Sequence, residues 1–452
     1  MPPDLLERPL PKSEAGQPEP LARRLLAAHF EGNSGVLTIS GHSVEHLVDT
    51  YGSPLFVYDA GVMRASYRAL AKAVSGFAEI YYSLKANPNP AVARIFVEEG
   101  AGLEIASAAE YERARAAGAP MGRIVFAGPG KTDAELAHVI NRGIGEIHLE
   151  SEGEIARLGA LARSKGLVVP VAIRVNPVQS AQGGAMRMGG KPSPFGFDEE
   201  ILDVIVDRVV AEPGLVLTGV HMFAGTQVLD AAVLARQWAH GIEVARCVAA
   251  RLGRPLKTLD LGGGLGIPMF ATDHALDLEA VGAAARKLAA DIAGDPLLAG
   301  TTLLVEPGRF LVGESGVYLV RVTEVKTSRG ERFVIADGGM HHHLAASGNL
   351  GQVIKRDFPV LAATRLNAPS EGQAALVGPL CTPLDTLARA MDVPALVPGD
   401  IIAVLQSGAY GLSASPVGFL SHPMPAEVLV DGPVVTEIRP RGTFEQPLTP
   451  LP

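Results

Sequence analysis

Three segments of the chain contain residues that could act together on a carbonyl compound. Lys85 follows two tyrosines in YYSLKANPNP, and a crowded amine that loses its proton can attack a carbonyl and form a Schiff base. The glycine run LDLGGGLG at 259–266 offers backbone N–H groups that could bind a phosphate. Glu306 opens the motif EPGR at 306–309, where a buried carboxylate could keep a pyridine nitrogen protonated.

Each of these segments also has an ordinary structural interpretation. Lys85 could be a capping lysine, the glycines could form a plain connection, and Glu306 could pair locally with Arg309. An amine, a phosphate site and a carboxylate for a ring nitrogen are, however, what one cofactor requires. The combination therefore predicts pyridoxal phosphate.

The cysteines and a run of histidines are the other residues with reactive side chains. Cys381 lies in GPLCTPLD at 378–385, where Pro, Thr and Asp predict a turn, and its thiol could donate a proton. Cys247 lies in VARCVAARL on an apolar helical face, so we assign it to packing. The three histidines at 341–343 could suggest a metal. Successive residues point in different directions, so no metal site is predicted there.

The composition excludes several classes of function. Of 452 residues, 47% are apolar and 19% are charged, and the net charge is −9. Nucleic acids and anionic membranes attract clustered Lys and Arg, so neither is a predicted partner. The low cysteine content excludes a disulfide framework and favours a reducing cytoplasm. No apolar run reaches about 18 residues and no secretory leader is evident, so neither a membrane span nor a signal is predicted.

Strands that alternate with helices must position the predicted cofactor site. Between about residues 78 and 306, helical stretches separate eight strand-like runs. The runs are EIYYSL (79–84), GLEI (102–105), RIVFA (123–127), EIHL (146–149), VVPVAIRV (168–175), LVLTGVHMF (215–223), KTLDL (257–261) and TLLVE (302–306). Eight such units predict a parallel (β/α)8 TIM barrel, whereas a doubly wound open sheet usually has fewer strands.

Polar or special residues end or closely follow the predicted barrel strands, where TIM barrels carry their active sites. In strand order they are Lys85, Glu104 with Ser107, Gly128, Glu150, Arg174, His221, Gly262–Gly264 and Glu306. Fold stability alone does not require this distribution. The sequence therefore predicts an active site at this face of the barrel.

A second domain is predicted from the rest of the chain. After residue 310, short apolar runs separated by turn residues predict an all-β region. The predicted plan is a flexible extension over 1–35, a barrel over 59–309, and a β-sandwich or β-barrel-like domain from 36–58 and 310–452. The C-terminal PLTPLP is predicted to fray.

The motifs taken together resemble those of a known family. YYSLKAN, LDLGGGLG, EPGR, GPLCTPLD and SGAYG (407–411) resemble, in the same order, the fold-type III pyridoxal-phosphate decarboxylases. That family contains diaminopimelate and ornithine decarboxylases and has the alanine-racemase-like fold. MRMGG, GGMHHH, GPLCTP and SGAYGLSASPV are similar to its branch with the glutamyl-acyl-carrier-protein decarboxylase of butirosin biosynthesis. The resemblance covers about residues 40–440.

The resemblance implies roles for particular residues. Lys85 carries the cofactor covalently, and Cys381 protonates the carbanion that is left after carbon dioxide departs. The other implied cofactor contacts are Arg174, Phe223, Thr226, Gly262, Gly263, Gly264, Glu306, Gly308, Arg309 and Tyr410, and the implied substrate contacts are Arg309, Thr382, Asp385 and Tyr410. The resemblance also implies a homodimer with shared active sites, in which Cys381 enters the site of the partner.

Departures from the family pattern concern mainly the substrate side. The family's HxHxGS segment reads HMFAGT at 221–226, so Phe223 replaces a histidine that stacks on the cofactor. Thr382 stands where diaminopimelate decarboxylases have a glutamate for the distal ammonium. Their arginine after Asp-x-Gly-Met is missing, because DGGM continues into HHHL at 341–344. Their later Asn-x-Arg reads LSH at 420–422.

A site without these groups should reject the doubly charged end of diaminopimelate. The sequence therefore favours a glutamyl- or aspartyl-like group tethered to an acyl carrier protein, decarboxylated at its α-carboxylate in a biosynthetic pathway. A decarboxylase of free diaminopimelate, ornithine or lysine is the alternative, since Asp385 could meet a substrate amine. A racemase would take a tyrosine from the partner, whereas GPLCTPLD indicates a decarboxylase. An inactive regulatory homologue is the alternative of another class, although Lys85, Glu306 and Tyr410 are retained.

Overall fold

The computed structural model of the chain describes residues 19–178, 186–187, 192–223, 225–350 and 356–444. Several features named above lie outside the described residues: residues 1–18 of the N-terminal segment, Met188–Gly190 of MRMGG, Ala224, and the C-terminal PLTPLP. Among the described helices, none has the length and apolarity needed to cross a membrane.

Residues before the barrel pack with residues from the end of the chain. In chain order they form α1 (Leu21–His29), β1 (Glu31–Asn33), β2 (Val36–Ile39), β3 (His42–Ser43), α2 (Val44–Tyr51) and β4 (Leu55–Asp59). Leu21 and Leu25 lie one turn apart on α1 and are buried in the same cluster as Leu361. The described end of the N-terminal segment is therefore a packed helix.

The predicted parallel barrel is confirmed. The strands of this region are β5 (Glu79–Ser83), β6 (Gly102–Ile105), β7 (Ile124–Phe126), β8 (Glu146–Leu149), β9 (Val169–Asn176), β10 (Met186–Arg187), β11 (Phe197–Asp198), β12 (Leu215–Met222), β13 (Gly225–Thr226), β14 (Thr258–Asp260) and β15 (Thr302–Val305). Eight of them close a ring in the order β5-β6-β7-β8-β9-β12-β14-β15, with β15 paired to β5. β11 pairs with β9, and β10 pairs with β13.

Helices follow the barrel strands and are capped close to the strand ends. They are α3 (Ala60–Ala73), α4 (Pro90–Glu98), α5 (Ala108–Ala116), α6 (Asp133–Arg142), α7 (Glu152–Ser164), α8 (Leu202–Val210), α9 (Ala231–Leu252), α10 (Leu278–Ile292) and α11 (Arg309–Val312). Ser107, Thr132 and Ser151 each accept a hydrogen bond from a backbone N–H in the first turn of the helix that follows. These caps define where α5, α6 and α7 begin.

The second domain is a separate sheet. Its later strands are β16 (Gly316–Ser328), β17 (Glu331–Ala336), β18 (Val360–Ala362), β19 (Gln373–Val377), β20 (Thr386–Asp392), β21 (Ile401–Val404), β22 (Ala426–Asp431) and β23 (Val434–Arg439). β4 lies inside this sheet, antiparallel to β16 and parallel to β22. The early strand therefore joins the late strands, and the barrel lies between them in the sequence.

Short 3-10 helices connect several elements, and one of them carries Lys85. They occupy Leu84–Ala86, Met121–Arg123, Glu199–Ile201, Gly313–Ser315, Leu412–Ala414 and Phe419–Ser421. One apolar cluster continues from the barrel into the second domain, where the rings of Phe56 and Tyr318 stack with centroids 4.5 Å apart. Continuous packing of this kind keeps the two halves of the site in register.

Candidate active site

Lys85 lies at the mouth of the barrel in the 3-10 helix Leu84–Ala86, called here the Lys85 turn. Its Nζ atom donates hydrogen bonds to both carboxylate oxygens of Glu104, at 3.1 and 2.9 Å. Ser83 Oγ donates to Glu104 Oε2 at 2.5 Å. The Lys85 side chain is 48% exposed, whereas that of Glu104 is 2% exposed. A buried carboxylate thus positions an accessible amine.

The charge state of Lys85 differs from the prediction. Burial by itself lowers the pKa of Lys85, but the negative charges of Glu104 and Glu306 outweigh it and raise the pKa above its ordinary value. The expectation that crowding favours the neutral amine is therefore wrong for this arrangement. The amine is an ammonium here and must pass a proton to a base before it can act as a nucleophile.

Three of the motifs meet beside Lys85. The backbone N–H of Tyr410 donates to the carbonyl of Ala86 at 2.7 Å, which joins SGAYG to the Lys85 turn. A Cβ atom at Gly308 would lie 3.1 Å from Cβ of Ala86, so EPGR also approaches the turn closely. The guanidinium of Arg309 lies 4.8 Å from the centre of the Tyr410 ring.

Arg309 is a half-buried cation at this junction. Burial lowers its pKa, and the neighbouring Tyr410 opposes that effect only in part. Among the ion pairs of the described residues none includes Arg309, so the local pair with Glu306 considered above does not form. A guanidinium in this position is suited to an anionic group of a ligand.

The glycine run 262–264 can exist only without side chains. Gly262 and Gly264 have φ values of 68° and 95°. A side chain on Gly262 would collide with the carbonyl of Met222, one on Gly263 with the carbonyl of Glu306, and one on Gly264 with the carbonyl of Gly225. The run therefore passes tightly against the ends of β12, β13 and β15, which holds its backbone at the mouth of the barrel, where glycine N–H groups are suited to a phosphate.

Phe223 and Thr226 border the glycine run. A Cβ atom at Gly262 would lie 3.1 Å from Cδ2 of Phe223, so the phenyl ring lies directly beside the loop. Thr226 is the residue of β13 that pairs with Met186 of β10. The predicted ring contact and the predicted phosphate contact therefore flank the same loop.

Arg174 ends β9 and is held by the carboxylate that follows β8. Its Nη1 atom donates to Glu150 Oε1 at 2.8 Å, and the backbone N–H of Gly128 donates to the same oxygen at 2.6 Å. The guanidinium also lies 5.0 Å from the ring centre of Phe195. Burial alone would raise the pKa of Glu150, but the charge of Arg174 lowers it, so the carboxylate is ionised.

Lys131 fixes the loops that present Gly128 and Glu150. Its fully buried Nζ atom donates at 2.7 Å to Glu154 Oε1 and to the carbonyls of Gly128 and His148. Glu154 Oε2 accepts the backbone N–H of Glu150 at 2.8 Å. One buried ion pair thus joins the ends of β7 and β8 beneath the predicted site.

Glu306, at the end of β15, is the last member of a polar line inside the barrel. His221 Nε2 lies 3.4 Å from Glu306 Oε2, and the Nδ1 atoms of His221 and His148 are 2.9 Å apart. His148 Nε2 lies 3.4 Å from Glu146 Oε1. We call Glu146, His148, His221 and Glu306 the interior line. Asp260 lies beside it, and its Oδ1 accepts the N–H of Gly262 at 2.8 Å.

These groups are compatible with pyridoxal phosphate. The cofactor brings a phosphate, an aldehyde and a ring nitrogen, and the mouth of the barrel offers a glycine cradle, a half-buried guanidinium and the Lys85 amine. Among the described residues the buried Oε1 atom of Glu306 has no hydrogen-bond partner. Because an unpartnered buried acceptor is costly, a donor from a ligand is expected there.

Cys381 lies in the second domain on residues 378–385, called here the Cys381 turn. Its thiol is exposed. Asp385 is only 2% exposed, and its oxygens accept backbone N–H groups from Met340 at 2.6 Å and Leu380 at 2.9 Å. Thr382 is half-buried on the same turn. The described contacts of this turn are thus within the second domain, and the Lys85 turn is not among them.

The remaining cysteine and the histidine run are placed as follows. Cys247 is exposed, so the expectation that it packs in the core is wrong. His342 contacts the Tyr318 hydroxyl at 3.2 Å and the Pro423 carbonyl at 3.1 Å. His343 contacts Ser407 Oγ at 3.0 Å. His341 instead faces the ring of His422, with centroids 4.7 Å apart.

Sequence reasoning missed Glu146 and His148. Both lie in EIHL, where they alternate with apolar residues, and alternate residues of a strand face the same side. In a barrel that side is the interior, which is normally filled by apolar side chains. Two ionisable residues at interior positions of one strand could therefore have predicted a polar cluster inside the barrel.

A parallel (β/α)8 barrel with an amine, a glycine cradle and a carboxylate at its strand ends, joined to a separate sheet, defines a fold-type III pyridoxal-phosphate enzyme. The family model described as "Pyridoxal-dependent decarboxylase, pyridoxal binding domain" matches residues 61–313. The chain belongs to this family. It is a pyridoxal-phosphate-dependent amino acid decarboxylase, and the predicted recognition, fold class and cofactor are confirmed.

Comparison with individual proteins gives the same family. The chain is 38% identical over 402 residues to L-glutamyl-[BtrI acyl-carrier protein] decarboxylase of Niallia circulans, covering 88% of this chain and 94% of that protein. It is 30% identical to diaminopimelate decarboxylase of Zymomonas mobilis, covering 92% and 96%. Diaminopimelate decarboxylase of Helicobacter pylori, solved with L-lysine, superposes with a TM-score of 0.77 at 28% identity, covering 89% and 97%.

Proposed function

We propose that the chain removes the α-carboxylate of a glutamyl- or aspartyl-like group that an acyl carrier protein carries as a thioester. The observation that carries this proposal is the uncharged substrate side, where Thr382 and the histidines at 341–343 stand at positions that the family resemblance assigns to charged groups. A thioester has no charge at its far end and needs no such partners. The relative from Niallia circulans, named for a carrier-bound glutamyl group, supports the same substrate class.

Each residue at the mouth of the barrel has a task in this proposal. Pyridoxal phosphate, when bound, supplies the electron sink that takes up the electron pair released with carbon dioxide. The residues that would hold it are Lys85 at the carbonyl carbon, Glu306 at the ring nitrogen, Phe223 at the ring face, Arg174 at the ring hydroxyl edge, and Thr226, Gly262, Gly263, Gly264, Gly308, Arg309 and Tyr410 around the phosphate.

Glu104 is the base that accepts a proton from the Lys85 ammonium. The ammonium must lose a proton before its nitrogen can bond to carbon. Glu104 is the base in contact with Nζ, and the hydroxyl of Ser83 hydrogen-bonds the same carboxylate. Glu104 therefore accepts the proton from Nζ and returns it when the amine is released.

Cys381 supplies the proton that replaces carbon dioxide. Its thiol is exposed on a turn whose contacts lie within the second domain, which suits a group that acts in the site of another chain. The active unit in this proposal is a homodimer, with Lys85 from one chain and Cys381 from the other at each site. The thiol donates its proton to the α-carbon of the substrate.

Decarboxylation of a free diamino acid is the second candidate, because relatives such as that of Zymomonas mobilis are diaminopimelate decarboxylases. The role suggested for Asp385 argues against it. Both carboxylate oxygens of Asp385 already accept backbone N–H groups, and the side chain is buried. A substrate amine would have to displace those bonds, which is costly for a buried carboxylate.

The decisive experiment measures the mass of a loaded carrier protein. Glutamyl- and aspartyl-loaded carriers are incubated with the cofactor-loaded enzyme and followed by intact mass spectrometry, with glutamate, ornithine, lysine and diaminopimelate as free substrates in parallel. We expect loss of one carbon dioxide from a loaded carrier only. The Lys85→Ala variant is the control and should leave the carrier mass unchanged.

Turnover of a free diamino acid with the carriers untouched would contradict the proposal and favour the second candidate. Failure of the purified protein to bind the cofactor or turn over any amino acid would indicate the inactive homologue instead.

A further inference from the structure

The interior line crosses the barrel beneath the cofactor site and ends at Glu306. All four of its members are buried, with exposures between 0% for His148 and 6% for Glu306. They come from β8, β12 and the end of β15, so the closed barrel itself brings them together. Isolated charges at such depth are expensive, and two imidazoles in contact between two carboxylates can share protons instead.

The contact between His148 and His221 determines which ring nitrogens carry protons. Two Nδ1 atoms 2.9 Å apart require one ring to donate and the other to accept. Burial lowers the pKa of His221 to about 4, so its ring is neutral and carries one proton. Since Nε2 of His221 faces the carboxylate of Glu306, that proton belongs on Nε2. The Nδ1 atom of His221 then accepts from Nδ1–H of His148.

Glu306 takes the opposite charge state from its neighbour Asp260. Burial by itself raises the pKa of Glu306, but the contacts with His221 and Asp260 outweigh it and lower the pKa. Burial beside Glu306 raises the pKa of Asp260 well above its ordinary value. One of the two carboxyl groups is therefore ionised and the other protonated, as expected for close carboxyl pairs.

The buried atoms without hydrogen-bond partners indicate where the interior line can exchange protons or meet a ligand. Among the described residues, five buried atoms of the line and of Asp260 lack a hydrogen bond of good geometry: Glu306 Oε1, His221 Nε2, His148 Nε2, Glu146 Oε1 and Asp260 Oδ2. The two Nε2 atoms face different carboxylates, on Glu306 and Glu146. His148 Nε2 also lies 4.0 Å from Asp260 Oδ2, so these groups can share protons, and the metal analysis described below tests the alternative of a bound cation.

We propose that His148 and His221 are positioning residues that orient Glu306 through its Oε2 atom and keep it ionised, so that Oε1 is presented to the ring N–H of pyridoxal phosphate. This inference rests on the cofactor site described under the proposed function, but not on the identity of the substrate. His148 acts through His221, and His221 acts through Glu306.

The test measures cofactor binding to the apoprotein in the absence of substrate. Dissociation constants are compared for pyridoxal phosphate and for its 1-deaza analogue, in which a C–H group replaces the ring nitrogen. The wild type should prefer pyridoxal phosphate by about tenfold, the value of one charge-assisted hydrogen bond. The His221→Leu and His148→Leu variants should bind the two compounds within about twofold of each other.

Conservative variants separate positioning from general packing. The amide nitrogen of Gln can replace Nε2 of His221, and that of Asn can replace Nδ1 of His148, so His221→Gln and His148→Asn should keep most of the preference. Tyr67→Phe alters another buried residue, on α3 and away from the line, and should keep all of it. The 15N shift of bound [15N]pyridoxal phosphate should indicate a protonated ring nitrogen in the wild type and lose that signature in the Leu variants.

Two results would overturn the proposal. The first is a full preference and an unchanged 15N shift in both Leu variants. The second is a stoichiometric metal ion in the purified protein whose loss accompanies either substitution. Because no substrate is present, an incorrect assignment of the carrier-bound substrate would leave the binding result unchanged.

Discussion

The Lys85 turn and the Cys381 turn each carry a reactive group, but the chain holds the two groups in different ways. The Lys85 amine contacts Glu104, a carboxylate buried in the barrel. The Cys381 thiol is exposed, and its turn is fixed from the inside by Asp385 through backbone N–H groups. The Lys85 amine is therefore positioned by a direct contact with another side chain. Among the described residues, the Cys381 thiol has no such contact, and it is positioned by the backbone of its turn.

This difference indicates that cofactor binding and proton donation are assigned to different parts of the chain. A cofactor must stay bound through many turnovers, and the residues proposed to hold it belong to one chain, most of them at the mouth of the barrel. A proton donor is needed for one step only, and an exposed thiol on a firm turn can be delivered to another surface. Cofactor binding and proton donation should therefore be separable by mutation.

Loss of the amine should have the largest effect. Lys85→Ala removes the group that bonds to the cofactor, so decarboxylation should fall by about 10⁴-fold or more. Absorbance and the mass of the borohydride-treated protein should show no covalent cofactor. The Lys72→Ala variant, on the barrel helix α3, is the matched control. A covalent adduct that persists in Lys85→Ala would contradict the assignment.

Loss of the thiol should have a smaller and more selective effect. Cys381→Ala should slow product formation by about 10²- to 10⁴-fold while the cofactor still binds, because only a proton donor is removed. If the sites are shared as proposed, mixing Cys381→Ala with Lys85→Ala chains should restore activity, because a mixed dimer would have one intact site. Cys247→Ala is the control. No recovery after subunit exchange would argue against shared sites.

The stability of the barrel should depend on the buried ion pair between Lys131 and Glu154. Lys131→Met leaves the Glu154 carboxylate buried without its partner and should lower the free energy of unfolding by about 3–5 kcal/mol. Urea denaturation of the apoprotein measures this change. The double variant Lys131→Met, Glu154→Leu should recover part of the loss, because neither charge then remains, although the carbonyls of Gly128 and His148 and the N–H of Glu150 lose their partners. An undiminished loss in the double variant would indicate that packing, not charge, is responsible.

Acid should destabilise both regions through their neutral histidines. Burial lowers the pKa of His221 in the barrel and of His341 in the second domain to about 4, from the ordinary histidine value of about 6.5. The unfolded chain binds these protons first, so stability should fall as the pH drops from about 6.5 towards 4, by about 1.4 kcal/mol per pH unit for each histidine.

Urea titrations at several pH values measure this slope. His341→Phe should reduce it, whereas His274→Phe, at an exposed position, should not. Equal slopes in wild type and His341→Phe would contradict the neutral state of His341.

The elements of the barrel could be predicted because their signals are local. A run such as EIHL or TLLVE contains its own strand signal, and the observed strands lie within a residue or two of the predicted runs. The residues at the strand ends could also be predicted, because parallel strands bring their carboxyl ends to one face.

Properties that depend on distant partners could not be predicted in this way. The raised pKa of Lys85 depends on Glu104 and Glu306, which are far from it in sequence and meet it only when the barrel closes. The exposure of Cys247 depends on how α9 is rotated, since Val248 and Ala249 beside it face the core. Helical spacing identifies an apolar face but does not define its edges.

The position of β4 in the sheet means that this strand is synthesised long before the strands with which it pairs. β4 leaves the ribosome before the barrel, but its partners β16 and β22 are made only after the barrel is complete. At roughly 5–20 residues per second, the strand waits about 10 to 50 seconds for its first neighbour. During that interval its unpaired edge can be captured by a chaperone or by another nascent chain. Slow translation or crowded polysomes should therefore lower the yield of folded protein before any property of the finished enzyme is affected.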